Sequence, residues 1–211
     1  MKRLLVLLPI LVLLVGCGGD KNDGSASSGG SSMDCEISGD KSKADLADLD
    51  SDKTNSVVVD TSKGSFTFEL ATKISPCTTA SFAGLVKKGF FDGLTFHRIV
   101  PGFVIQGGDP EGTGMGGPGY STVDAPPQDT KYTKGVVAMA KTQAEPAGTS
   151  GSQFFVVTGA DVGLPPDYAV LGNVTDGIDV VEEIGKLGDP NDPNGTPTEP
   201  VKINKMELQT G

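Results

Sequence analysis

Apolar residues recur along most of this chain in short alternating runs separated by glycine and proline. SVVVDTSKGSFTFEL, residues 56–70, reads as two strands around a Ser-Lys-Gly turn, with Phe66, Phe68 and Leu70 on one face. Ser75-Pro76 then looks like a helix cap followed by proline at the first helical position. Phe82, Leu85 and Val86 fall on one side at helical spacing, and Gly89 ends that helix. Strand-like pieces follow at 95–100, 103–106, 135–140, 153–158 and 168–174. A second short helix fits 177–187 with Ile178, Val181 and Ile184 inward, and VKINKMELQ at 201–209 alternates as a closing strand. Many short strands with two helices predict a mainly β domain over 56–211, an antiparallel barrel whose ends the helices plug.

Composition narrows the partners. The chain has 211 residues and a net charge of −10, enough length for one real core. The charge argues against nucleic acid, because binding phosphate backbones needs clustered Lys and Arg. Thirty glycines and fourteen prolines supply the turns that many short strands require.

The N-terminus carries an address rather than fold. MKRLLVLLPILVLLVGC places Lys2 and Arg3 before a run of twelve residues from Leu4 to Val15, too short to cross a bilayer and of the length of a secretory signal. Leu14-Val15-Gly16-Cys17 resembles the bacterial lipobox, which implies a signal peptide over 1–16 and lipidation of Cys17; a plain signal peptide with a chance cysteine is the alternative. Two acyl chains, at about 0.8 kcal/mol per buried CH₂, would hold the protein on the membrane surface. Residues 17–34 hold almost no apolar side chains and read as a flexible tether reaching roughly 20–25 Å. Residues 35–55, charged and weakly patterned, read as a partly ordered arm.

Cys35 and Cys77 remain. Outside the cytoplasm an even count fits one disulfide, which would pin the arm to the domain and close a loop of about 43 residues, worth up to roughly 4 kcal/mol by chain entropy. Two unpaired buried thiols are the other reading.

Several chemistries fail on spacing or context. Gly112-Thr113-Gly114-Met115-Gly116-Gly117 matches G-x-G-x-x-G, but Pro118 follows and no helix opens there. Ser150 and Ser152 in GTSGSQ do not form the nucleophile elbow, and a serine triad would need the sole histidine, His97, which lies in a strand-like run. One His and three scattered Cys make no metal set, and DPNDPNG at 189–195 misses the calcium-loop spacing. Neither metal nor cofactor is expected.

FHRIVPGFVIQGGD at 96–109 remains, together with GTGMGG, GVVAMA at 135–140 and SGSQFFVV at 150–157. In order and spacing, from about residue 56 to 208, these resemble the cyclophilins, peptidyl-prolyl cis-trans isomerases. The resemblance implies a closed eight-stranded antiparallel β-barrel capped by two α-helices, and proline-containing polypeptides as partners. It also implies Arg98 as the catalytic residue, a proline socket of Phe103, Val104, Phe155 and Leu164, and Gln106, Ala140 and Gln153 along the peptide groove. Gly112 and Gly114 would allow close approach of the substrate backbone.

The departures are specific. The family's frequent tryptophan falls on Gly163 and its pocket histidine on Tyr168, which can still wall the pocket. The usual asparagine after Ala140 is Lys141, and the 141–148 loop is about two residues longer. Loss of the indole implies weak cyclosporin sensitivity. The expected function is isomerisation of X-Pro bonds in extracytoplasmic proteins by a lipid-anchored monomer of a bacterial cell membrane, with a non-catalytic binder of Pro-containing segments as the alternative.

Overall fold

The computed structural model describes residues 34–211. The signal segment 1–16, Cys17 and the tether up to residue 33 lie outside the described residues. The strands are β1 (Ile37–Gly39), β2 (Asn55–Thr61), β3 (Gly64–Leu70), β4 (Arg98–Val100), β5 (Val104–Gly107), β6 (Tyr120–Val123), β7 (Val136–Met139), β8 (Thr149–Ser150), β9 (Phe154–Val157), β10 (Val170–Asp176) and β11 (Ile203–Thr210). The α-helices are α1 (Pro76–Lys87) and α2 (Ile178–Gly185).

β2 and β3 form the expected hairpin, pairing Val57 with Phe68 and Val59 with Phe66. Eight strands then make one sheet in the order β11-β2-β3-β10-β7-β9-β5-β4, and β1-β6-β8 make a second, smaller one. The large sheet curls but does not close, which corrects the expectation of a closed barrel. Its edge strands β4 and β11 do not pair, because the hydrogen-bonding groups that would join them are already engaged by loops. The amide of Ile99 in β4 donates to Gly195 O at 2.7 Å, whereas the start of β11 bonds to the irregular segment 93–96: Gly93 N to Ile203 O at 2.8 Å, and Ile203 N to Leu94 O at 2.8 Å.

The central strands carry side chains that are buried on both faces, so GVVAMA and FFVV read as continuous apolar runs. Alternation sorts them. Ile105, Val137, Met139, Phe154 and Val156 join the main core, where Phe82 of α1 stacks on Phe91 at 4.6 Å and meets Phe154 edge-on at 5.6 Å. Val104, Val136, Ala138, Phe155 and Val157 join a second cluster with Tyr132, bordered by Phe103, Leu164 and Tyr168. That second face builds the site.

Three details of the helices differ from expectation. Ser75 sits at the cap position of α1, but its hydroxyl makes no cap bond. α1 is also buried all round, from Cys77 to Val86, because the 35–55 arm and the small sheet cover sides turned away from the large sheet: Ala47 N donates to Ala80 O at 2.9 Å, Thr78 Oγ1 donates to Ser150 Oγ at 3.1 Å, and the Ser81 and Tyr120 hydroxyls are bonded at 2.9 Å. In α2, Val181 and Ile184 are inward as expected, but Ile178 is 37% exposed; it is the first helical residue and lies at the rim of the packed face. The sulfurs of Cys35 and Cys77 are bonded, which ties the arm to the first turn of α1.

Candidate active site

The site begins with strand register. Arg98 of β4 lies opposite Gln106 of β5, and Gln106 lies opposite Phe155 of β9. Antiparallel pairing therefore sets a cation, an amide and an aromatic ring side by side on one face. Arg98 Nη1 donates to Gln106 Oε1 at 3.4 Å, Gln106 Nε2 donates to Gln153 Oε1 at 3.0 Å, and Gln153 Nε2 donates to Gly116 O at 2.9 Å. The chain of amides runs from the guanidinium into the glycine-rich loop. The guanidinium carbon also lies 5.8 Å from the centre of the Phe103 ring, within cation–π range. Among the described residues no carboxylate forms an ion pair with Arg98, so its remaining N–H groups are free for a ligand.

Beside Arg98 lies a cavity of about 420 Å³. Of the residues that the resemblance singles out, Phe103, Val104, Gln106, Ala140, Phe155, Leu164 and Tyr168 line it, together with Lys141, Thr142 and Gln143. Gln153 and Gly114 lie instead in an adjoining cavity of about 470 Å³, and Gly112 lines neither. Gly112 and Gly114 have φ of 66° and 85°, and a Cβ on either would meet nothing within 4 Å. Backbone conformation, not crowding, calls for glycine at these two positions.

The far wall is built by aromatic packing. Tyr168 meets Phe155 edge-on at 5.5 Å and Tyr132 at 5.9 Å. The Tyr132 hydroxyl donates to Tyr168 O at 2.6 Å and accepts from Tyr168 N at 3.0 Å, which fixes the backbone that carries the wall. Burial pushes the Tyr132 phenol up to about 12, so it stays a donor at any physiological pH.

Lys141 is the unexpected member. Its side chain is only 2% exposed and pairs with Asp167 at 2.6 Å. It also donates to Thr142 O and Glu145 O at 3.2 and 3.1 Å and lies 5.6 Å from the Tyr168 ring centre. The ammonium thus has an ion-pair partner and two carbonyl acceptors, and the 141–148 loop is folded around it. Nothing in the local sequence marked Tyr132 or Asp167 as supports; their role depends on contacts across the fold.

Two titratable groups stand behind the strand. Burial holds His97 below the usual imidazole value against the opposing pull of Asp109, and neighbouring Arg98 lowers it further. Neither ring nitrogen has a partner among the described residues. Asp109 would be raised by its own desolvation, but amide donors of Glu111, Gly114 and Gly116 outweigh this and hold it low. That carboxylate organises the 110–116 loop.

A guanidinium at the lip of an apolar socket, bonded to Gln106 and paired with no carboxylate among the described residues, can donate hydrogen bonds to polar atoms attached to an apolar group held in the socket. The comparisons agree with that reading. Residues 56–208 match the family model "Cyclophilin type peptidyl-prolyl cis-trans isomerase/CLD". Peptidyl-prolyl cis-trans isomerase B of Bacillus subtilis is 43% identical over 117 residues, covering 56% of this chain and 80% of its own length. Peptidyl-prolyl cis-trans isomerase-like 1 of Neurospora crassa is 40% identical over 156 residues, 72% of this chain and 93% of its own. A crystal structure of a cyclophilin type peptidyl-prolyl cis-trans isomerase from Cryptosporidium parvum, solved in the presence of the dipeptide Ala-Pro, superimposes with a TM-score of 0.65 at 29% identity, covering 74% of this chain and 99% of its own. The chain belongs to the cyclophilin family and is a peptidyl-prolyl cis-trans isomerase.

Proposed function

We propose that this isomerase acts on X-Pro bonds of proteins folding outside the cytoplasm, as a monomer held on a bacterial membrane by lipid on Cys17, and that Arg98 carries the catalysis. The observation that supports the catalytic role most directly is the placement of the Arg98 guanidinium: at the lip of the apolar cavity, aligned by Gln106 and free of carboxylates.

The chemistry follows from the amide bond. Rotation about an X-Pro bond must break amide resonance, against a barrier of about 18–20 kcal/mol. In the twisted state the prolyl nitrogen has lost its conjugation and becomes a better hydrogen-bond acceptor than in the planar substrate. A fixed donor aimed at it therefore binds the transition state more tightly than the ground state, and this difference is what accelerates the reaction. Arginine suits the task because it is always charged and its planar fork is pre-aligned. Phe103, Val104, Phe155 and Leu164 receive the ring, with Tyr168 as the wall, while Gln106, Ala140 and Gln153 flank the peptide. Each 1.4 kcal/mol or so of differential binding is tenfold in rate.

The extracytoplasmic part rests on the signal-like N-terminus, the lipobox-like Leu14–Cys17 and the Cys35–Cys77 bond, since disulfides persist where the compartment is oxidising. Intact mass of the membrane-extracted protein tests it. A mass equal to residues 17–211 plus acyl groups is the expected result; an unmodified full-length chain recovered from the soluble fraction would overturn the anchor. Refolding of a proline-limited substrate protein should be accelerated by the same preparation, and binding without acceleration would favour a non-catalytic holder of Pro-containing segments.

A further inference from the structure

We propose that the disulfide-pinned N-terminal arm is part of the substrate groove: β1 forms the outer wall of a second subsite that grips an apolar side chain flanking the proline in an extended polypeptide. This rests on the isomerase reading of the adjoining cavity and extends it.

The second cavity, about 470 Å³, shares Gln106, Ala140, Lys141 and Thr142 with the proline cavity, so one peptide can occupy both. Its outer side is made by Ser38 and Gly39 of β1 and by Met115, Pro118 and Tyr120. Met115 is 80% exposed, the most exposed of the large apolar side chains among the described residues. An unbranched thioether at the edge of a groove adapts to apolar side chains of different shapes, which fits an isomerase that must accept many sequences.

The wall comes from outside the 56–208 match to the family model, because β1 lies in residues 35–55. Its attachment is specific. β1 pairs with β6, Gly39 opposite Tyr120, and Asp40 N donates to Gly119 O at 3.0 Å. The β1–β6 contact thus holds the end of the same glycine-rich loop that carries Met115. Further along, the arm packs so closely on α1 that a Cβ on Gly84 would lie 1.7 Å from Asp45 O. A three-residue edge strand is marginal on its own. Cys35 lies two residues before β1, and its bond to Cys77 keeps that strand in place.

The test compares two peptides, a tetrapeptide with one X-Pro bond and a twelve-residue peptide with the same bond at its centre and apolar residues on both sides. Affinity and exchange rate are read together by NMR on the oxidised wild type, on Cys35→Ser/Cys77→Ser and on Ser38→Trp. For the cysteine variant we expect affinity for the long peptide to fall roughly fivefold or more, with tetrapeptide affinity and turnover within about twofold of wild type. Ser38→Trp, which fills the wall while leaving the disulfide intact, should weaken the long peptide relative to the short one. Equal losses on both peptides, or unchanged long-peptide affinity in both variants, would overturn the proposal. Failure of the wild type to turn over the tetrapeptide would instead reject the isomerase reading, and the ratio of affinities would still decide the role of the arm.

Discussion

Replacing Lys141 by methionine removes a cation whose side chain is only 2% exposed, while the carboxylate left behind, Asp167, is 37% exposed. Breaking a fully buried pair costs about 3–5 kcal/mol because one charge is stranded without water. In Lys141→Met the stranded charge can be rehydrated and the thioether refills most of the volume, so the cost drops to about 1–2 kcal/mol. Asp167→Asn does the reverse: it leaves an ammonium that water hardly reaches, held chiefly by the carbonyls of Thr142 and Glu145, at about 3 kcal/mol. For a domain of this size each kcal/mol shifts Tm by about 2–4 °C, so the two variants should melt roughly 2–8 and 6–12 °C below wild type. The double variant should lose less than the sum, since neither charge is then unpaired. Thermal melts by circular dichroism on the disulfide-intact protein give the three numbers. Because Lys141 lines the proline cavity and folds its loop, KM for a short Xaa-Pro peptide should rise severalfold in Lys141→Met with kcat nearly unchanged. A larger loss for Lys141→Met than for Asp167→Asn, or strictly additive losses, would refute the account of this pair.

Other consequences can be checked separately. His97 is the only histidine and its folded value lies below 6.5. Its contribution to stability is therefore complete above about pH 6.5 and is lost as pH falls through the depressed folded value; one NMR titration reads this, and a folded value above 6.5 would contradict it. Gly148 has φ of 78° and a Cβ there would lie 2.3 Å from the Asp124 carbonyl, so Gly148→Ala should destabilise by about 2–4 kcal/mol in urea melts, and a neutral outcome would be evidence against the tight 124–148 crossing. Tyr132→Phe removes the acceptor of Tyr168 N and a donor to Tyr168 O; a loss of about 1–3 kcal/mol is expected, with an increase in KM. At Gly163, onto which the resemblance places the family's frequent tryptophan, a Cβ would meet nothing within 4 Å; on that reading cyclosporin should inhibit weakly, and submicromolar inhibition would count against it.

Much of the large sheet is legible in the sequence because its strands either alternate over seven residues, as β2 and β3 do, or are short and apolar throughout, as β7 and β9 are. The 56–70 hairpin, the apolar runs at 135–140 and 153–158 and the apolar stripe of α1 each carry their signal locally. The small β1-β6-β8 sheet does not. Its strands have two to four residues, mix serine and threonine with single apolar side chains, and exist only because segments far apart in sequence meet. The open seam is hidden for the same reason: which loops engage the edges of β4 and β11 depends on contacts such as Ile99 with Gly195, not on either strand's own pattern. At the site, motif order in FHRIVPGFVIQGGD and SGSQFFVV located Arg98, Gln106 and Phe155, and strand register then juxtaposed them. Lys141 stood out only as a departure from the family pattern. Its burial arises from Asp167 and Tyr168 folding back over it, which sequence spacing alone does not reveal.

The central claim is that Arg98 accelerates rotation by donating to the twisted prolyl nitrogen. Isomerisation of one Xaa-Pro-Phe peptide, measured for wild type, Arg98→Lys and Arg98→Ala, tests it most directly, since loss of a single pre-aligned transition-state donor typically lowers kcat by about 10²–10³. We expect Arg98→Ala to fall in that range with KM changed little and Arg98→Lys to recover only part of the rate, because a point charge lacks the aligned fork. Equal rates for wild type and Arg98→Ala would contradict the account.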